Sequence, residues 1–351
     1  MDSEVSLMLH CAPLQALGEH QTHVEISDRF NRQSFPEIEE HIEAAWSERV
    51  IKDPWLFNGA KFRLHSAVLS TKPHPTNSTE QSTHRHQCTS LAKGDQADRN
   101  PGEGERFENS DGGEITDKHR PSDKVTKDEQ SCILKLQLGV TCYKDYIGTN
   151  WSQNVENLRR RGEAEFADPQ AFLAQPLGVG AIMATSDGAV VLLRRSQEVA
   201  EAAGLLDIPG GHPEPKMVCQ GVSEDLISVG LLQGKERAIV SEIFSSVCAE
   251  ITDEVNVPLN SLSKPLLLGI ALNHTSACRP SAEFYVQCSL TTEEVRDYYR
   301  QGGPEANETT DILFLSRAEM LQLNESSPVW SEMCPSAKGA VLLYQRVMPD
   351  H

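Results

Sequence analysis

Between residues 235 and 257, apolar side chains return every three or four positions, at Val240, Ile243, Phe244, Val247, Cys248, Ile251 and Val255. That spacing predicts an amphipathic helix with one buried stripe. Elsewhere the period is two. Alternation predicts strands at 5–11, 62–69, 132–146, 266–272, 281–290 and 311–316. The clearest hairpin is 177–196, where two apolar arms flank Ser186-Asp187-Gly188, with Gly188 free to take the positive φ of a tight turn. Further helices are predicted from Pro36 to just before Pro54, from Ser152 as N-cap to about 162, over 169–174, from Thr291 or Thr292 to 299, and over 336–345.

One stretch breaks the pattern. Of the sixty residues 71–130, seven are apolar and twenty-one charged, so the segment buries too little surface to offset its ordering entropy. It is expected to be a disordered insertion inside a hairpin whose arms are 62–69 and 132–146. Three histidines near its start, His74, His84 and His86, are compatible with either metal binding or no role.

Charge and cysteine usage narrow the function classes. Across 351 residues, acids outnumber bases 51 to 32, a formal charge of −19 that repels polyanions and disfavours nucleic acid as a partner. The nine cysteines form no C-x-x-C pair, so scattered reduced thiols are expected rather than a disulfide framework or a zinc site. The first residues carry no basic leader, and no apolar run reaches membrane-spanning length. The expectation is a soluble intracellular protein of the cytoplasm or nucleoplasm, with no membrane partner.

The candidate chemistry lies on the 235–257 helix. Glu250 and Glu254 are four apart and share a side at the edge of the apolar stripe, with Asp253 a little further round. Like charges at that spacing repel unless a cation lies between them. A solvated acidic face and an all-oxygen Mg²⁺ or Mn²⁺ site are the two readings open at this point.

Residues 249–257, AEITDEVNV, resemble the second half of the Nudix box, R-E-U-x-E-E-x-G-U, with Ala249 in place of Arg and Asn256 in place of Gly. Asn tolerates the left-handed conformation of a helix C-cap. Upstream, Asp207-Ile-Pro-Gly-Gly-His-Pro-Glu-Pro215 resembles the glycine loop that opens the box. The family separates these halves by 13 residues, whereas 37 lie between Gly211 and Ala249, so 24 residues are inserted.

The resemblance implies an α/β (α+β) fold: a Nudix αβα sandwich with a mixed sheet over 176–351, and a smaller N-terminal α/β part from 1–70 and 131–175. It also implies Mg²⁺-dependent hydrolysis of UDP-glucose and UDP-galactose to UMP and hexose 1-phosphate, with Mn²⁺ as a second candidate metal. Glu250 and Glu254 would hold the metal, and Glu250, Asp253 and Glu254 would be the catalytic acids. Substrate contacts carried by the resemblance are Phe57 and Tyr143 around uracil, Arg195 on phosphate, and Ala200, Asp207, His212, Glu214 and Ser336 around the same pocket. A non-catalytic nucleotide-sugar binder with a degenerate box is the alternative.

Overall fold

The computed structural model describes residues 2–12, 15–70, 134–197, 199, 201–305 and 308–347. Its first half contains β1 (Val5–His10), β2 (Thr22–Ile26), α1 (Pro36–Lys52), β3 (Ala60–Leu69), β4 (Leu134–Cys142), α2 (Tyr143–Gly148) and α3 (Val155–Phe166). Then follow β5 (Gly178–Ala184), β6 (Ala189–Arg195), β7 (Leu206–Asp207), β8 (Gly210–Gly211), α4 (Pro215–Val218), α5 (Val229–Leu232) and α6 (Glu236–Val255). The chain continues with β9 (Leu266–Asn273), β10 (Arg279–Gln287), α7 (Thr292–Gln301) and β11 (Thr309–Ser316). It closes with α8 (Arg317–Gln322), α9 (Pro328–Glu332) and α10 (Pro335–Val347).

The arms around the expected insertion pair with each other. Leu64 faces Leu138 and Leu69 faces Leu134 across an antiparallel ladder, while residues 71–130 themselves lie outside the described residues. Strand β2 joins β4 in parallel, completing a small sheet of order β2-β4-β3. The large sheet runs β1-β9-β10-β5-β6-β11 and is mixed, because β10 and β5 are parallel and their neighbours antiparallel. Strand β1 pairs with β9. The first strand therefore stands in the large sheet, not with the N-terminal part to which residues 1–70 were expected to belong.

The 177–196 hairpin is splayed. Its arms pair at the turn end, Ala184 opposite Val190, and then separate. The chain from Leu206 to Gly211 enters the gap, with β7 on β6 and β8 on β5. The glycine loop is thus held by strands on both sides.

Helix α6 lies between the two sheets. Its stripe, including Ile243, Val247, Ile251 and Val255, packs with Val179, Ala181 and Met183 of the large sheet and with Val24, Phe62 and Leu136 of the small one. Full burial of such a side chain contributes about 1.5–3 kcal/mol. Helix α10 covers the opposite face, where Val341 and Tyr344 pack with Ile182 and Tyr285. The result is an α/β sandwich of helix, mixed sheet and helix, with the small sheet as an extra layer over α6.

Three local expectations are corrected. Tyr143 begins a helix instead of continuing a strand, because its N–H bonds the Gly59 carbonyl at 3.1 Å and the ladder ends at Cys142. Residues 169–174 form successive turns, tied down by buried Arg63, which donates to the carbonyls of Gln170 and Leu173 at 2.8 and 3.0 Å. The helix after Ser152 starts later, with Asn154 as its N-cap. The seven described cysteines are all free thiols, as expected.

Helices α1 and α2 meet at Gly148. A Cβ there would lie 2.7 Å from Ile42 Cγ1 and 2.8 Å from Ile42 Cα. Gly148→Ala is expected to cost on the order of 1–3 kcal/mol by overpacking. A thermal melt checks it, and an unchanged Tm would show that this helix pair yields freely.

Candidate active site

Glycine chemistry places the acids. A side chain on Gly211 would put Cβ 2.0 Å from Glu250 Oε1, and one on Gly210 would reach 2.5 Å from the Val179 carbonyl. Two bare residues in succession therefore let the loop lie on β5 and on the Glu250 carboxylate together. Its backbone N–H groups bond the helix acids. Gly210 donates to Glu254 Oε2 at 2.9 Å, and His212 donates to Glu250 Oε1 at 3.3 Å. Two further turns back on α6, Glu242 accepts from the Glu214 N–H at 2.9 Å.

These acids sit in a strongly negative, desolvated place. Burial, then the neighbouring Glu305, pushes the Glu250 carboxyl up to about 7, while the His212 N–H pulls the other way. Glu254 is only 5 % exposed, and burial together with Asp207 and Glu250 holds its carboxyl well above the usual range. Asp253 is less buried, and its carbonyl accepts from the Glu305 N–H at 3.3 Å. That bond draws in the turn before β11. Carboxylate oxygens of Glu254, Glu305 and Glu308 all lie within 4.8 Å of one another. An all-oxygen donor set of this kind, with one member buried at raised pKa, fits a hard divalent cation such as Mg²⁺ or Mn²⁺.

Around the acids lies a belt of ion pairs. Arg195 bonds Asp207 at 3.1 Å and the Glu201 carbonyl at 3.1 Å. Arg279 bonds Glu201 at 3.2 Å and His212 Nε2 at 3.3 Å. Burial, Lys61 and Arg279 hold His212 well below its usual pKa, so the imidazole is neutral and accepts that bond. Glu214 bridges Lys61 and Lys216 at 2.9 and 2.8 Å, linking the glycine loop to the small sheet. Ser336, at the start of α10, lies 3.4 Å from Cys334, whose thiol neighbours Asp207.

Phe57 stands 63 % exposed beside Lys216 on the rim of a cavity of about 2300 Å³ that also reaches His212, Glu214, Glu250 and Asp253. It is not a core aromatic. Tyr143 packs on Trp46 and Tyr146 at the neighbouring corner, since its N–H holds Gly59. Ala200 lies outside the described residues.

Glu305, Glu308, Glu201, Glu242 and Arg279 escape the sequence reading. They carry no periodic or motif signal of their own. The one available hint was the acid pair at i,i+3 in the glycine-proline turn ahead of the last strand, at 302–308.

Over 351 residues, 99 % of the chain, the sequence is 45 % identical to the mouse uridine diphosphate glucose pyrophosphatase NUDT22, of which it covers 93 %. The human protein of that name is 44 % identical over 350 residues, covering 99 % of the chain and 94 % of that protein. Nudix hydrolase 9 of Arabidopsis thaliana is 27 % identical over 331 residues, 93 % of the chain and 87 % of the plant protein. The chain belongs to the Nudix hydrolase family. No protein-family model matches it. Among solved structures, the MutT protein of Methanosarcina mazei aligns with half of the chain and 93 % of its own length at 16 % identity and a TM-score of 0.28. RenU, a Nudix hydrolase of M. smegmatis, aligns with half of the chain and 88 % of its own length at 8 % identity and a TM-score of 0.28.

The two halves of the box, split in sequence, meet in space where Gly210 and His212 bond Glu254 and Glu250. The inserted residues fold, with Cys219, Val229 and Leu232 buried in the core shared with α6. Asn256 does what the family glycine would do: it takes φ 63° as the C-cap of α6, and its side-chain amide also donates to the Tyr298 carbonyl at 2.9 Å. Ala249 is exposed in place of the family arginine.

Glu254→Gln retains an acceptor for the Gly210 N–H and removes a buried ionisable group. The metal-free variant is expected to melt no lower than wild type. Mg²⁺ at a hundred times its Kd should stabilise wild type by about 2.7 kcal/mol, a shift of several degrees, and the variant much less. Equal shifts for both proteins would remove Glu254 from the metal set.

Proposed function

We propose that this Nudix enzyme hydrolyses the pyrophosphate bond of UDP-glucose and UDP-galactose to UMP and hexose 1-phosphate, using Mg²⁺, with Mn²⁺ able to replace it. The observation that carries this reading is the gathering of Glu250, Glu254, Glu305 and Glu308 at the glycine loop, in a chain that shares 45 % identity with a protein named UDP-glucose pyrophosphatase. Glu254, Glu305 and Glu308 would hold the cation, with Glu250 beside them. Bound there, a divalent cation supplies charge neutralisation for the diphosphate and makes water a better nucleophile.

The remaining work falls to the chain. Four converging acids alone would repel a diphosphate, and a net charge of −19 adds to that. Arg195 and Arg279 are already paired to Asp207 and Glu201, so their guanidiniums are fixed in direction before substrate arrives. The Glu250 carboxyl, with a pKa near 7, can hold or release a proton at working pH. Exposed Phe57 offers a ring face on the same cavity, where a uracil would stack, and Tyr143 lies at the adjoining corner. Ala249, where the family has Arg, favours the binder alternative. The gathered acids favour hydrolysis, because a site that only bound a nucleotide sugar would gain nothing from four converging carboxylates, one of them buried.

Purified protein incubated with UDP-glucose and Mg²⁺ is expected to release UMP. Phe57→Ala should raise KM for UDP-glucose by the equivalent of about 1–3 kcal/mol. Its Tm should barely change, since the ring buries little against the protein. Tight binding of UDP-glucose without UMP release would establish the binder instead.

A further inference from the structure

Strand β10 carries Arg279, Ser281 and Glu283 in alternation, so all three project from one face of the large sheet. Opposite them in the parallel partner β5 stand two glycines: Ser281 pairs with Gly178 and Glu283 with Gly180. Nothing in the proposed hydrolysis uses Glu283. It is 0 % exposed, and neither carboxyl oxygen has a partner in hydrogen-bonding geometry among the described residues, the nearby Ser281 hydroxyl included. Nε of Arg279, likewise buried, is also unpartnered. Buried polar groups without partners are rare, and two on one strand face mark a place where something else completes them.

The neighbourhood says what that is. Glu283 lies within electrostatic reach of Asp207 and Arg279, and burial pushes its carboxyl up to about 8, against a smaller pull from the Ser281 hydroxyl. Arg279 crosses the Tyr146 ring at 5.9 Å. Three carboxyls, Glu201, Asp207 and Glu283, thus stand beside the two guanidiniums, so the Glu283 side of the cluster does not take a second anion. It is a good site for a neutral polyhydroxyl, whose O–H groups both donate to carboxylates and accept from Arg Nε or a protonated carboxyl. Gly180 is required here, since a Cβ would come within 2.5 Å of Glu283 Oε2. Asp207 also borders Glu254, so this cluster adjoins the metal acids.

We propose that the face of β10 beside Arg279 and Asp207 is the hexose subsite, and that Glu283 is its specificity-determining residue, hydrogen-bonded to a sugar hydroxyl. This rests on the UDP-hexose reading above. It also explains why an uncompensated buried carboxyl is kept: it lowers the stability of the free protein and is satisfied only when the sugar is bound.

The test compares wild type with Glu283→Gln and Glu283→Leu on three substrates. These are UDP-glucose, a series of monodeoxy-UDP-glucoses, and the β-methyl ester of UDP, which keeps the pyrophosphate but has no hexose. Glu283→Leu is expected to melt at or above the wild-type temperature. Its kcat/KM should fall ten- to a hundredfold on UDP-glucose, at least tenfold more than on the methyl ester. One deoxy sugar, lacking the hydroxyl that Glu283 reads, should be handled alike by wild type and variant. Glu283→Gln, which retains a donor and an acceptor, should lose less, and it keeps the comparison available if the leucine variant does not fold. Equal losses on UDP-glucose and the methyl ester, or no loss on either, would overturn the subsite. Wild type that neither binds nor cleaves UDP-glucose would overturn the parent reading, whereas active wild type with insensitive variants would overturn this inference alone.

Discussion

Everything at the active end of this protein depends on two backbone N–H groups. Gly210 and His212 donate to Glu254 and Glu250, and through those bonds the glycine loop and α6 fix each other's position. The loop can reach that far because β5 and β6 separate after Ala184 and Val190 and let residues 206–211 in between. Two buried acids four residues apart would otherwise be a liability, since desolvation and mutual repulsion both disfavour their charge. The fold keeps them by packing the rest of α6 with aliphatic side chains on two sides, so the helix cannot rotate its acids out to solvent.

The extra layer over α6 has a second use. The small sheet and the box insertion converge where Lys61 meets Glu214 and where Glu224 accepts from the Ala60 N–H at 2.8 Å. Glu214 closes the glycine loop and Glu224 lies in the insertion, while Lys61 and Ala60 belong to the small sheet. The 24 inserted residues that obscure the box in sequence are therefore a structural joint, and they carry Lys216 to the side of exposed Phe57. One element that breaks the motif supplies a wall of the candidate substrate cavity.

Much of this was legible in the chain. The stripe from Val240 to Val255 and the splayed hairpin were set by local periodicity, and the Asn256 C-cap by local backbone preference. The pairing of β3 with β4 across 71–130 was legible because both arms alternate strongly enough to find each other. The placement of β1 was not, since its partner β9 lies more than 250 residues away and a strand's period says nothing of which sheet it joins. Glu305 and Glu308 were missed for a similar reason: a turn becomes a ligand set only when Asp253's carbonyl brings it in. Arg195, Asp207, His212 and Glu214 were expected around one pocket; the structure links the first three by polar contacts through Arg279 and Glu201, which no motif marks, while His212 and Glu214 line the large cavity.

The central claim is that the buried acids at the glycine loop are charged by a divalent cation and protonated without one. Calorimetric titration of the protein with Mg²⁺ at pH 6, in buffers of different ionisation enthalpy, measures this directly. Burial pushes the Glu250 carboxyl up to about 7, so it holds a proton at pH 6 that must leave when the metal enters, and the raised Glu254 carboxyl acts in the same direction. The account predicts net proton release on binding and an apparent affinity that rises with pH through 7. Binding heats that are the same in every buffer, with affinity flat across that range, would contradict it.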